Sequence, residues 1–254
     1  MNTEHTKWTE LLEMAVKQPG VLMKAYSAFH GYSLGNQILA MVQCQMRSIE
    51  PGPINTYPGW QALGRQVRKG EKALTLCMPL VAKKKDDSGE PQQFITAFVY
   101  KPRWFVLAQT DGEPVPMPQI PEWNQARALA ALNITETTFT DTNGNVQGYA
   151  RKREIAISPV AAMPHKTLFH EVAHIELGHT AELEFNDAEQ TPKNLREVEA
   201  EAVALLCLDA LNLPGAEFCR GYIQTWLRGD TIPEASAQKI FGAADRILKA
   251  GREQ

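Results

Sequence analysis

His170, Glu171 and His174 stand in the string HEVAH, an HExxH pattern. Two imidazoles four residues apart share one face of a helix, so both can reach a single divalent ion. The intervening Glu171 lies beside them. The chemistry this arrangement supports is hydrolysis: the ion brings the pKa of a water toward neutrality, and Glu171 takes its proton. Leu168, Phe169, Val172, Ala173, Ile175 and Leu177 make the helix largely buried. Two merely structural histidines would be costly there without partners, which argues against that bland alternative. Zn2+ is preferred on ligand type, with three protein ligands and one open position in a catalytic site. Manganese, iron or cobalt also suit two histidines and a carboxylate.

A third ligand is sought among Glu197, Glu199 and Glu201, near the start of a later helical stretch. At about 100° per residue, Glu197 and Glu201 share the side of Ala200, Ala204, Leu205 and Leu208, whereas Glu199 lies well round. A carboxylate on an apolar face needs a partner, and a metal supplies one. Glu197 is chosen as the ligand. Glu201, one turn on, accepts a hydrogen bond from a ligating histidine, or exchanges roles with Glu197. Glu199 reads as a solvated acidic residue favoured near a helix N-terminus. In HEVAHIELGH, Gly178 and His179 stand at the wrong offsets to extend the metal motif. His179 therefore reads as a cap on the helix C-terminus beside Gly178, and His165 as a loop residue outside the ligand set. Tyr149, on a strand preceding the helix, reads either as a donor to a tetrahedral oxyanion or as a packed tyrosine.

A second constellation lies nearer the N-terminus. Arg65, Arg68, Lys69 and Lys72 fall within eight residues, flanked by Tyr57, Trp60 and Phe94; Lys101 and Arg103 precede Trp104 and Phe105. Single-stranded nucleic acid is bound by such mixtures, in which cations track phosphates and aromatic faces stack bases. Asn36 and Gln37, at a helix start, are candidates for phosphate or base-edge contacts. The alternative is that the aromatics are core and the lysines merely solvated.

The elements that must position these residues follow from pattern. Helices are expected at Thr9–Gln18 (with Thr9 as cap), Ser33–Arg47, Gly59–Gln66 and Trp123–Leu132. Four more are expected at Lys166–Gly178, Leu195–Leu211, Glu217–Leu227 and Glu234–Ala250. The helix capped by Ser33 shows Leu34, Ile38, Met41, Val42 and Met46 on its apolar face. EPGPINTYPG is too rich in proline and glycine for helix. A basic turn leads into a strand near LTLCMPLV, KKKDDSGEPQ reads as a charged hairpin loop, and FITAFVY and RWFVLAQ read as strands. Two further strands lie in TETTFTDTNGNVQGYARKREIAIS, with a tight turn at Asn143-Gly144. The fold class is thus α+β, with a small antiparallel sheet in the first part and helices packed on a small sheet in the second.

The chain has 254 residues, enough for two domains. Residues 1–118 carry 13 Lys+Arg against 10 Asp+Glu; residues 119–254 carry 13 against 19. That asymmetry suggests two modules with different partners. The boundary is placed at 118/119, inside a proline-rich linker at about 111–122. Hydrophobic residues at 44% and charged residues at 22% exclude collagen, a coiled-coil rod and a wholly disordered chain. No run approaches the roughly 18 apolar residues of a membrane helix, and no signal-peptide pattern opens the chain. Cys44, Cys77, Cys207 and Cys219 lie in apolar contexts without a CxxC pair. They read as buried thiols of a reducing compartment, so a cytoplasmic location is expected.

The strings YSLGNQILAMVQ, GWQALGRQVRKGEKALTLCMP and FVLAQTDGEPVP together resemble the N-terminal single-stranded-DNA-binding domain of ArdC-type plasmid antirestriction proteins. HEVAHIELGH followed by REVEAEAVALLCLDALNL is similar to the metallopeptidase-like domain of that family and to the ImmA/IrrE peptidases. The resemblance implies an α+β DNA-binding module joined to a zincin-like domain. It also implies that the first Glu of an ExxA string, Glu197 here, is the third ligand, and that the protein protects incoming plasmid DNA from restriction during conjugation. The expected partners are single-stranded DNA and an unidentified protein or peptide substrate, with no membrane. Two alternatives stand beside this reading: a regulatory metallopeptidase that cleaves a repressor or other DNA-bound protein, and a DNA-binding protein whose metal is only structural.

Overall fold

The computed structural model describes residues 7–85, 91–116, 119–120, 122–180, 192–227 and 231–252. The chain opens with three helices, α1 (Trp8–Lys17), α2 (Val21–Phe29) and α3 (Leu34–Arg47). A β-rich part follows: β1 (Ile54–Thr56), α4 (Tyr57–Ala62), β2 (Arg65–Val67), β3 (Leu74–Lys85), β4 (Pro91–Val106) and β5 (Thr110–Gly112). The second part holds α5 (Gln125–Ala131), β6 (Thr135–Glu136), β7 (Gly148–Arg151), β8 (Glu154–Ile157) and α6 (Pro164–Glu176). It ends in α7 (Lys193–Ala210), α8 (Ala216–Leu227) and α9 (Glu234–Ala250). The fold is mixed α+β, as expected.

The centre is α7, in which every residue from Val198 to Ala210 is buried. Helices α6, α8, α9 and α2 pack around it. A helix apolar on all sides is stable only when so surrounded. One hydrophobic core runs from Leu11 and Leu22 through Leu205 to Leu248. Two helix starts in the first part are capped from far along the chain. Glu234 accepts from the backbone N–H groups of Trp8 and Thr9 at 2.8 and 3.0 Å. Asp245 accepts from Leu34 N–H at 3.1 Å. These carboxylates do the work that the sequence assigned to Thr9 and Ser33: Thr9 lies inside α1, and Ser33 makes no side-chain cap. Met46 is also not on the apolar face; it is 55% exposed.

Strands β1, β4 and β3 form an antiparallel sheet in that order, so β3 is an edge. Helix α3 covers it with side chains that imitate a neighbouring strand. Asn36 accepts from Cys77 N–H at 2.8 Å and donates to Cys77 O at 2.9 Å. Gln43 does the same with Thr75 at 2.9 and 2.8 Å. Arg47 donates to Ala73 O at 3.0 Å. An open edge would otherwise template pairing with another chain.

Several local expectations are corrected. FITAFVY and RWFV belong to one strand, β4, which continues through Pro102, with a register shift between Leu74 and Thr75 on its partner, while Leu107–Gln109 form a 3-10 turn after it. The hairpin arms of β3 and β4 reach Lys85 and Pro91, so part of the expected charged loop is strand; its tip at 86–90 lies outside the described residues. The linker span begins inside β5, and its residues 117, 118 and 121 also lie outside. Tyr57-Pro58-Gly59 begins α4 despite its proline, because Pro58 sits in the first turn, where a missing N–H costs nothing. The sequence pattern assigns no element to Val21–Phe29, which forms α2. In the second part β6 pairs in parallel with β8, which pairs antiparallel with β7. The hairpin turns at Lys152, whose φ is +52°, and not at Asn143-Gly144.

Candidate metal centre

Helix α6 presents His170 and His174 from one face while Leu168, Phe169, Val172, Ala173 and Ile175 are buried. Their Nε2 atoms lie 3.1 Å apart. An oxygen of Glu197, from α7, lies 3.5 Å from His170 Nε2 and 3.7 Å from His174 Nε2. These three residues form a group able to hold a metal ion, with ligand atoms all within 4.8 Å of one another. Tetrahedral coordination with bonds of about 2.0–2.1 Å sets neighbouring ligands about 3.3 Å apart. The observed edges fit that shape, and the donor set suits a divalent ion.

Both imidazoles are held from behind. His170 Nδ1 meets Glu201 Oε2 at 2.9 Å, and the other oxygen of Glu201 is 2.8 Å from Lys166 Nζ. His174 Nδ1 meets His179 Nδ1 at 3.0 Å, and His179 Nε2 meets Glu199 Oε2 at 3.0 Å. Glutamates 197, 199 and 201 therefore each touch a different part of one assembly. The expectation for Glu199 is corrected: it is 3% exposed and paired, not solvated. His179 is corrected as well. Its backbone N–H closes the helix end on His174 O at 2.8 Å, but its side chain turns inward instead of capping. The turn is made at Gly178, whose φ of +80° favours glycine.

Electrostatics follow from these contacts. Burial opposes a charge on His170, yet hydrogen bonds to Glu197 and Glu201 outweigh it and push its pKa up to about 9. The adjacent imidazoles, His170 foremost and then His174, hold the Glu197 carboxyl well below the usual range. Burial raises the carboxyl of Glu171, which makes it a better base. Glu171, His170 and Glu201 line a cleft of about 730 Å3 that is also walled by residues 145–148 and by Phe218 and Tyr222 of α8. Gly148 lets β7 approach α6: a Cβ there would stand 2.6 Å from Thr167 Cγ2.

Gly148 faces α6, so Tyr149 points to the opposite side of β7 by strand alternation. Its hydroxyl lies 3.3 Å from Thr140 Oγ1, and its ring stacks near Phe139. The oxyanion role for Tyr149 is corrected on this ground; Tyr222 is the tyrosine that lines the cleft. His165 borders a separate hollow with Tyr26 and Trp123.

The basic constellation divides. Asn36 is spent on the β3 backbone, and Gln37 is 1% exposed and donates to Tyr32 O at 2.7 Å. Trp60 is 1% exposed, with its indole N–H on Phe105 O at 2.8 Å. Arg65 clasps β5 through Thr110 and Gly112. These four are structural, which corrects their expected exposure to nucleic acid. Arg68 is exposed but already faces Glu71 and Asp111 at 2.9 and 3.4 Å. Lys69, Lys72 and Arg103 are exposed, Lys101 is half-buried, and Tyr57 is 40% exposed. Tyr57, Gln66, Arg68, Lys69 and Phe105 border one open groove. Gln66, a residue with neither charge nor ring to mark it in the sequence, donates to the Tyr57 hydroxyl at 2.6 Å.

Residues 3–105 match the family described as the N-terminal domain of anti-restriction factor ArdC. The metal-free crystal structure of antirestriction ArdC from plasmid R388 matches with a TM-score of 0.55 and 22% identity, covering 96% of this chain and 94% of that one. The chain has the fold of ArdC. The Mn(II)-bound structure of the R388 protein matches at a TM-score of 0.54 and 18% identity, covering 97% and 98%. No curated protein sequence matches this chain. Within the ArdC-type fold, the named N-terminal domain embraces α1 to β4, and the His170–His174–Glu197 group lies outside it. Among the described residues, no helix is long and apolar enough to cross a membrane.

Proposed function

We propose that this protein is an antirestriction protein that binds single-stranded DNA through residues 1–118. On this reading, residues 119–254 carry a zinc-dependent, peptidase-type centre. The observation that carries the reading is the convergence of His170 Nε2, His174 Nε2 and a Glu197 oxygen at 3.1–3.7 Å beside an open cleft. His170, His174 and Glu197 would hold the ion. The chemistry it supplies when bound is Lewis acidity, which polarises a carbonyl and makes water a nucleophile near neutral pH. Glu171 receives the proton of the attacking water and passes it to the leaving amine. Its burial keeps it basic enough to do so. Glu201 fixes the His170 ring, and Lys166 holds Glu201 ionised. Phe218 and Tyr222 offer an apolar wall to a substrate side chain.

Structural zinc sites are closed by four protein ligands. Three ligands beside a cleft favour a reactive centre over a purely structural one. Zinc stands first on donor type, and the Mn(II)-bound R388 protein supports manganese as an occupant. The DNA reading is supported by the ArdC N-terminal match and by the groove at Tyr57, Lys69 and Phe105.

Elemental analysis of the purified protein and of His170→Ala tests the centre. One divalent equivalent in the first and none in the second is the expected result. Glu171→Gln should keep the metal and abolish peptide hydrolysis; undiminished hydrolysis would overturn the mechanism. DNA protection that persists in Glu171→Gln would favour the structural-metal alternative.

A further inference from the structure

His179 lies past the HExxH motif, just beyond the left-handed turn at Gly178. Its side chain is 5% exposed, and both ring nitrogens are engaged. A carboxylate only accepts hydrogen bonds, so His179 Nε2 carries the proton toward Glu199 at 3.0 Å. A neutral imidazole then offers a lone pair at Nδ1. His174 Nδ1, 3.0 Å away, must therefore be the N–H donor. That leaves His174 Nε2 as a bare lone pair, facing His170 Nε2 and Glu197. Every step is dictated by the one before it, starting from the Glu199 carboxylate.

We propose that Glu199 and His179 are positioning residues that fix the tautomer and ring orientation of His174 for metal ligation. This rests on the reading that His170, His174 and Glu197 hold the ion. The centre is then asymmetric. His170 is oriented directly by a carboxylate, whereas His174 is oriented by a carboxylate acting through an interposed imidazole. The opposite polarity, with His179 donating to His174, would put a proton on His174 Nε2 and block ligation. Partners of this kind typically change metal affinity 10–100-fold, about the range expected here.

The test compares Zn(II) and Co(II) affinity, by chelator competition, in His179→Leu, His179→Gln, Glu199→Gln and His170→Ala. Leucine fills the space but neither donates nor accepts, and affinity should fall roughly 10–100-fold. Glutamine can donate to Glu199 and accept from His174, so His179→Gln should recover most of the loss, which a purely space-filling role would not predict. Nitrogen-15 imidazole spectra of the Zn(II)-loaded protein should show His174 protonated at Nδ1 and ligating through Nε2. Wild-type affinity in His179→Leu, or Nδ1 ligation by His174, would overturn the proposal. Should His179→Leu not fold, an unchanged affinity in Glu199→Gln together with no Nδ1 proton on His174 overturns it equally. Loss of metal in His170→Ala with none in His179→Leu sinks the positioning role alone. Retention in His170→Ala sinks the metal-centre reading itself.

Discussion

Glu197 and Glu201 stand one helical turn apart and both touch His170, yet they should respond very differently to removal. Glu197 faces the Nε2 side, 3.5 Å from His170 and 3.7 Å from His174. Glu201 faces the Nδ1 side of His170 at 2.9 Å, on the far side of the ring from the ion position. Structural zinc binding is worth roughly 10–16 kcal/mol over four ligands, or about 2.5–4 kcal/mol for one. Glu197→Ala should therefore weaken the ion by two to three orders of magnitude. Glu201→Gln keeps an oxygen for the His170 N–H and loses only the charge, which costs about tenfold, or about 1.4 kcal/mol. Competition against a chromophoric chelator at fixed pH reads both. If Glu201→Gln abolished stoichiometric loading while Glu197→Ala kept it, the two roles would be reversed. Equal losses in both would break the geometric argument altogether.

Other outcomes follow from the same contacts. In metal-free protein, His170 titrates near 9, above its ordinary 6.5. The stability from its pairing is complete below pH 6.5 and should be lost as pH rises through about 9, which melting curves of stripped protein would show. Ion binding needs the neutral ring, so affinity should rise over that window by up to about tenfold per pH unit. Gln43→Leu strands the buried N–H and C=O of Thr75 and should cost about 2–4 kcal/mol in urea unfolding. Lys69→Ala with Lys72→Ala should lower the salt slope of single-strand binding by about 0.7 per lost phosphate contact in filter or anisotropy titrations. Arg65→Ala should chiefly destabilise the β2–β5 corner, seen as a lowered melting temperature.

What the sequence reveals most readily here is what depends on neighbours along the chain. The spacing of HEVAH and the helical phase of Glu197 and Glu201 place those side chains where the structure has them, because a helix makes that geometry local. Glu199 reads as solvated only if its surroundings are imagined empty; its partner His179 comes from another element. Asn36 and Gln37 carry the polarity of a nucleic-acid contact, but amides suit backbone groups equally well: Asn36 pairs with Cys77 of β3, which nothing nearby in sequence names, and Gln37 donates to Tyr32 O. The caps on α1 and α3 come from residues more than 200 positions away. At Lys152 the reason is different: asparagine-glycine is the stronger turn signal, but pairing of Glu154–Ile157 with Gly148–Arg151 decides where the chain reverses.

Glu234, Asp245 and Arg252 all reach from the end of the chain to its beginning, the last meeting the Tyr26 hydroxyl at 2.6 Å and His30 O at 2.8 Å. A polypeptide cut between 118 and 119 would deprive the opening helices of these anchors and bare the apolar side that rests on α7. The two halves are thereby bound to one fate on heating, and a calorimeter should record a single cooperative endotherm where two separate functions would suggest two.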